Sequence, residues 1–244
     1  MTELLIIVFA AILPAFLLVV YIWWRDKYQR EPLNQMMKGV LYGVVSAMIA
    51  AWLEGMLQGM GIVSAEPNGA LSAIWAAFAG AALPEEAAKL LMLWLLLRKN
   101  PWFDERMDGI VYAVCVGMGF AGTENILYLV SNIDSWQEVA VSRAITAVPG
   151  HFIFAVAMGY FYSMAYFGDI SWRKRNRALL VPILLHGTYD GILFVIKVNS
   201  GVAGVLFLVF CVFCAYMFRY GRRRINEHLE RDMNDPNQVA FWVK

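Results

Sequence analysis

Apolar residues run along this chain in long blocks parted by short polar, mostly basic connections. A membrane-crossing helix needs about 20 predominantly apolar residues. On that criterion seven blocks qualify, at about 3–24, 37–60, 70–97, 109–131, 150–168, 177–198 and 201–220. The expected fold is therefore all-α: a polytopic transmembrane helical bundle of about seven spans, with one transmembrane domain over 1–221 and a short polar cytoplasmic tail over 222–244. No internal repeat is evident, and no polar stretch is long enough to stand as a soluble domain. The first block is too long for a signal-peptide core and lacks both a basic leader and a convincing small-residue cleavage site, so it reads as a retained span.

Composition agrees. The chain is 60% hydrophobic and only 16% charged, too apolar for a water-soluble domain. Its net charge of +1 says little, but the placement of the charges says more. Basic residues crowd into alternate connections: Arg25, Lys27, Arg30 and Lys38 after the first block, and Arg98, Lys99 and Arg106 after the third. Arg173, Lys174, Arg175 and Arg177 follow the fifth, and Arg219, Arg222, Arg223, Arg224, Arg231 and Lys244 follow the last. Seventeen of the twenty basic residues thus fall on one side, which the positive-inside rule makes cytoplasmic, leaving the N-terminus outside and the C-terminus inside. Trp23, Trp24, Trp102 and Trp172 would mark the inner interface, and Trp75 and Trp136 the outer one. Cys211 and Cys214 have CxxC spacing, but on a lipid-embedded helix they read as small packing residues.

Several features interrupt the apolar blocks where polar residues occur. Pro84, in mid-block, cannot donate to the carbonyl of Gly80 and reads as the first residue of a half-helix, with Glu85 and Glu86 in its favourable first turn. Pro149-Gly150 precedes His151 and is expected to start the fifth span, and Ser135 to Val148 reads as a short interfacial helix on the outer side. Pro182 lies one turn before His186. Gly117, Gly119 and Gly122 give the fourth block a small face that lets a neighbour come close to Glu124.

Ionisable residues inside the blocks are Glu54, Glu85, Glu86, Lys89, Glu124, His151, His186 and Asp190. Each charge at a helix centre costs about 2.5–3.5 kcal/mol on insertion scales, so the cluster points to function. Glu85 and Glu86 stand four and three residues before Lys89 and can each pair with it on one helix face. His186 and Asp190 are also one turn apart. Adjacent carboxylates in a low-dielectric site suit general acid–base hydrolysis. Glu54 reads as a snorkelling or pairing side chain outside this group, and Arg143 as an outer-surface charge.

Pro84-Glu85-Glu86-Ala-Ala-Lys89 matches an EExxK motif, Phe120-Ala-Gly-Thr-Glu124 an FxxxE motif, and His186-Gly-Thr-Tyr-Asp190 an HxxxD motif. In that order, on three blocks, they resemble the PrsW-type intramembrane proteases, relatives of the CAAX-prenyl endopeptidases and bacteriocin-processing proteins. Tyr21 to Pro32 and Val148-Pro-Gly-His151 also resemble that family, and the likeness runs from about residue 20 to 195. It implies peptide-bond hydrolysis in or beside the membrane, with a membrane-spanning protein as partner and a bacterial cytoplasmic membrane as location. The family's best-known role is the outer-side first cut of a single-pass anti-sigma factor, which starts a stress response.

The expected catalytic set is Glu85, Glu86, Lys89, Glu124, His151, His186 and Asp190. Glu85 would activate water, the histidines would stabilise the oxyanion or protonate the leaving amine, and Asp190 would orient His186. A second mechanism uses Zn2+ held by Glu124, His151, His186 and Asp190, with Glu85 as base, although the chain has no HExxH. A different class of function, a proton- or ion-coupled carrier, would also use buried carboxylates beside broken helices. The absence of an inverted repeat and the small size weigh against it, and nothing in the chain points to nucleic acid.

Overall fold

The long helix α5 (Arg106–Ser131) is the post around which the other helices stand. From Met107 to Gly122 every residue of it is buried, as expected of a helix that is apolar on all sides and lies inside a bundle. The computed structural model describes residues 2–171 and 174–234. Against α5 pack α1 (Thr2–Arg25), α2 (Leu33–Gly59), α4 (Leu83–Leu97), α7 (Ala147–Tyr166) and α9 (Ala203–Met233). Helix α8 (Arg177–Val198) closes on α7 and α9, and the short α6 (Trp136–Ile145) lies across α5 and α7.

Glycine sets how closely these helices approach. A Cβ on Gly119 would collide with the Val40 carbonyl of α2, and one on Gly43 with the Val116 carbonyl of α5. Gly117 faces Ala155 of α7, and Gly122 faces Ala15 of α1. The small face expected on this helix therefore serves three neighbours at once. Outward, the helices show large apolar side chains, such as Leu5, Phe9 and Phe16 on α1 and Val205, Leu208 and Val212 on α9. Apolar surface of that extent belongs against lipid tails.

Among the described residues six helical stretches are long and apolar enough to cross a bilayer: residues 3–25, 33–59, 106–131, 133–166, 177–198 and 200–233. The remaining expected span, 70–97, is helical along its length but divided. It runs from α3 (Ala70–Trp75) through a π-helical segment (Ala76–Ala82) into α4, and it carries Glu85, Glu86 and Lys89. Pro84 does not open a separate half-helix. The amide of Leu83 bonds back to the Phe78 carbonyl, five residues earlier, so a wide turn absorbs the missing proline N–H and the chain continues. Glu85 and Glu86 still occupy the first turn of α4.

The short outer helix expected near residues 135–148 is α6, and α7 begins at Ala147, just before Pro149-Gly150. Helix α9 continues to Met233, past the expected boundary at 221/222. Its last turns are anchored beneath the bundle: His228 and Asp232 are buried, and Asp232 accepts from the amides of Arg106 and Met107 at 3.1 and 2.8 Å, capping α5. The loop between α1 and α2 folds under the same end, where Tyr112 donates to Glu31. Trp172, Arg173 and the tail residues 235–244, Lys244 included, lie outside the described residues.

Candidate active site

Helical spacing allows Lys89 to pair with Glu85 or Glu86; in the folded chain it holds both. Its Nζ lies 3.0 Å from Glu85 Oε2 and 2.8 Å from Glu86 Oε1. The third direction is taken by His151 Nδ1 at 3.3 Å. An ammonium has three N–H donors, and all three are assigned. The Phe120 ring lies 3.8 Å from Nζ, so the aromatic of the FxxxE motif adds a cation–π contact.

These bonds fix the state of His151. Since Nδ1 accepts from Lys89, the ring proton sits on Nε2, which donates to Glu124 Oε2 at 2.9 Å. Glu124 takes a second donor from Arg143 Nη2 at 2.5 Å. Arg143 Nε in turn donates to Asn125 Oδ1 at 2.6 Å, and the Asn125 amide donates to the Ala11 carbonyl at 3.0 Å. A polar chain thus ties α1, α5, α6 and α7 together behind His151.

His186 completes the other side. Its Nδ1 lies 2.9 Å from Glu86 Oε1, its Nε2 lies 3.1 Å from Asp190 Oδ2, and its ring stacks on Phe154 with centroids 4.7 Å apart. With a carboxylate facing each nitrogen, the ring satisfies both only by donating from both. Gly187 makes this possible from the backbone side: any Cβ there would strike the Phe78 ring of the π-helical segment. The close fit brings α8 and the start of α4 together.

All seven residues expected from the sequence meet at this site, from α4, α5, α7 and α8. Their roles divide by position. Ligand atoms of Glu85, Glu86, His151 and His186 lie within 4.8 Å of one another, whereas Glu124 and Asp190 each stand behind a histidine, on its Nε2 side. The zinc set expected from the sequence places its two carboxylates in those outer positions. Glu86 is fully buried, and its Oε2 has no hydrogen-bond partner. Glu85 is 5% exposed, and its Oε1 is free of protein partners among the described residues.

Three residues of this neighbourhood carry no obvious signal in the sequence. Arg143, expected as an outer-surface charge, is the partner of Glu124, because α6 folds back over α5. Asn125 holds Arg143. Glu54 lies within electrostatic reach of Glu85, Glu124, Lys89 and His186. A cavity of about 790 Å³ opens elsewhere, between α4, α7 and α8, lined by Leu90, Leu91, Trp94 and Tyr162 among others. None of the clustered ionisable groups lines it.

Residues 31–217 match the family described as PrsW family intramembrane metalloprotease. This chain belongs to the PrsW family of intramembrane proteases. It is 35% identical over 189 residues to Protease PrsW of Clostridioides difficile (strain 630), covering 76% of this chain and 78% of the relative. It is 36% identical over 188 residues to Protease PrsW of Geobacillus kaustophilus (strain HTA426), covering 75% and 78%. To Protease PrsW of Bacillus subtilis (strain 168) it is 32% identical over 189 residues, covering 77% and 82%. No solved structure matches. A PrsW-family chain with these spans is a multi-pass hydrolase of the bacterial cell membrane, acting on membrane proteins. The function of the chain is thus proteolysis rather than ion transport.

The donors present suit a divalent ion in kind: two carboxylates and two imidazoles converge, and the buried Oε2 of Glu86 lacks a partner. Lys89 Nζ contacts atoms of three of those four residues, so the same donor set is also satisfied by an ammonium.

Proposed function

We propose that this chain cleaves a single-pass membrane protein at the outer edge of its span, as the first cut in releasing a regulator of the anti-sigma-factor type. The observation that carries the chemistry is the buried arrangement in which one ammonium holds Glu85, Glu86 and His151 while His186 bridges Glu86 and Asp190. The basic connections support an orientation with the N-terminus outside and the C-terminus cytoplasmic. In that frame Glu124 and His151 lie toward the outer side, as a cut there requires.

Glu85, with one carboxylate oxygen unengaged, takes a proton from water, and the resulting hydroxide adds to the scissile carbonyl carbon. Negative charge gathers on the carbonyl oxygen, where the positive charge of His186, which donates from both ring nitrogens, stabilises it. The C–N bond then breaks, and Glu85 returns its proton to the leaving amine. Lys89 and Glu86 hold the local charge while the proton moves. Asp190 and Glu124 keep His186 and His151 in one orientation.

A second mechanism is favoured by the convergence of four suitable ligands. Glu85, Glu86, His151 and His186 would hold the ion, which supplies Lewis-acid polarisation of the carbonyl when bound. Purified protein dialysed against a strong chelator separates the two. Activity that survives supports Lys89 as the cation of the site. Activity lost to the chelator and restored by Zn2+ supports the metal.

The test of the function itself compares new protein N-termini in membranes expressing wild type or Glu85→Gln. Cut sites at the outer edge of single-pass proteins, present only with wild type, are expected. No difference between equally abundant wild type and variant would overturn the proposal.

A further inference from the structure

Helix α2 turns one stripe of residues into the bundle, and the buried members of that stripe include Gly39, Gly43, Ser46, Ala47 and Ala50. Each is small because α5 and α4 come close. One further turn along the same face stands Glu54, half-buried, where the pattern calls for another small residue. Ala50 packs in one cluster with Ala88 of α4 and Phe120 of α5. One turn from each of these, on its own helix, lie Glu54, Glu85 and Glu124. The packing therefore sets three carboxylates from three helices at one level. The electrostatic neighbours of Glu54, namely Glu85, Glu124, Lys89 and His186, are those this register requires.

Glu54 differs from the other two carboxylates in having no partner. It makes no hydrogen bond or ion pair among the described residues, while both nearby cations are committed: Lys89 to Glu85, Glu86 and His151, and Arg143 to Glu124 and Asn125. Glu54, Glu85, Glu86, Glu124 and Asp190 together outnumber those cations by three charges. An unpaired carboxylate in a low-dielectric setting calls for a cation from elsewhere.

We infer that Glu54 forms an acidic subsite at the mouth of the active site and receives a basic side chain, lysine or arginine, of the substrate beside the scissile bond. This rests on the protease assignment and extends it to substrate selection. Pairing there fixes the register of the unwound substrate segment against Glu85, so a basic residue at one position sets which bond is cut.

The test uses full-length protein in liposomes and a single-pass substrate that wild type cuts. Lysine, glutamine or glutamate is placed in turn at each of the three positions on either side of the cut. Wild type is expected to favour lysine over glutamate at one position by about tenfold or more in kcat/KM, the size of one charge-assisted hydrogen bond, with the difference mainly in KM. Glu54→Gln should erase the preference, and Glu54→Lys should reverse it. Glu54→Ala, which continues the small stripe, serves if either variant folds poorly. A lysine preference that survives in Glu54→Gln, or no preference in wild type, overturns the inference. So does a fall in kcat that is equal for all three substrates, which would make Glu54 a proton carrier. Binding of the same lysine and glutamate substrates to Glu85→Gln protein, with and without Glu54→Gln, needs no cleavage. It reads the subsite separately: a failure to cut counts against the protease assignment, and equal binding of the two substrates counts against the subsite.

Discussion

Replacing Lys89 with methionine keeps most of the side-chain volume but removes the ammonium from among Glu85, Glu86 and His151. The ammonium stands 3.0, 2.8 and 3.3 Å from these partners, which are themselves 5%, 0% and 5% exposed. Water cannot take over there. Breaking a buried ion pair by removing one partner costs about 3–5 kcal/mol. If that cost falls on the active arrangement, each 1.4 kcal/mol is a factor of ten, so kcat/KM should fall by about 10²-fold to several thousand-fold. The assay is the rate of appearance of the new N-terminus from a membrane-embedded substrate in liposomes, with unfolding temperature in detergent measured alongside. Adding Glu86→Gln to Lys89→Met removes one of the stranded charges. The double variant should recover unfolding temperature relative to the single one but not activity, since His151 still lacks its donor. Lys89→Met with activity within a few-fold of wild type would refute the idea that the ammonium organises the site.

Gly187→Ala places a methyl group against the Phe78 ring. It should push α8 from the π-helical segment, lowering activity more than stability, and the smaller Phe78→Leu should partly rescue it. The end of the bundle that carries the α1–α2 loop should respond to pH. Burial, then the charge of Glu31, pushes the Asp26 carboxyl up to about 7, and burial pushes Glu31 up to about 7 against the hydrogen bond from Tyr112. Both hold protons in the folded protein that they release near 4 when exposed, so their contribution is fullest below about pH 4 and is lost as pH rises through about 7. Asp26→Asn should therefore raise the unfolding temperature more at pH 8 than at pH 5; an equal shift at both would count against this origin.

The sequence by itself determined the class of fold, the helical blocks and the ionisable residues that gather in the cluster. Bilayer thickness fixes how long an apolar run must be, and the cost of a charge in that run marks Glu85, Glu86 and Lys89 as exceptions with a purpose. Local spacing also set the pairs within one helix, Glu86 with Lys89 and His186 with Asp190, because one turn of helix carries its own geometry. Only the tertiary structure decided which histidine meets which carboxylate. Lys89 and His151 lie far apart in the chain, and nothing local places His151 Nδ1 rather than Nε2 toward the ammonium. Nor does anything local show that α6 folds back to give Arg143 to Glu124. Pro84 carries a further lesson: a missing N–H predicts an interruption, but whether the chain breaks or widens into a π turn depends on what packs beside it, here Phe78 against Gly187. Glu54 was the hardest to read, since a carboxylate near a helix end can reach an interface as easily as a neighbour. Its place became clear only when Ala50, Ala88 and Phe120 fixed the register of α2 against α4 and α5, for such a register is a property of packed surfaces and not of any single segment.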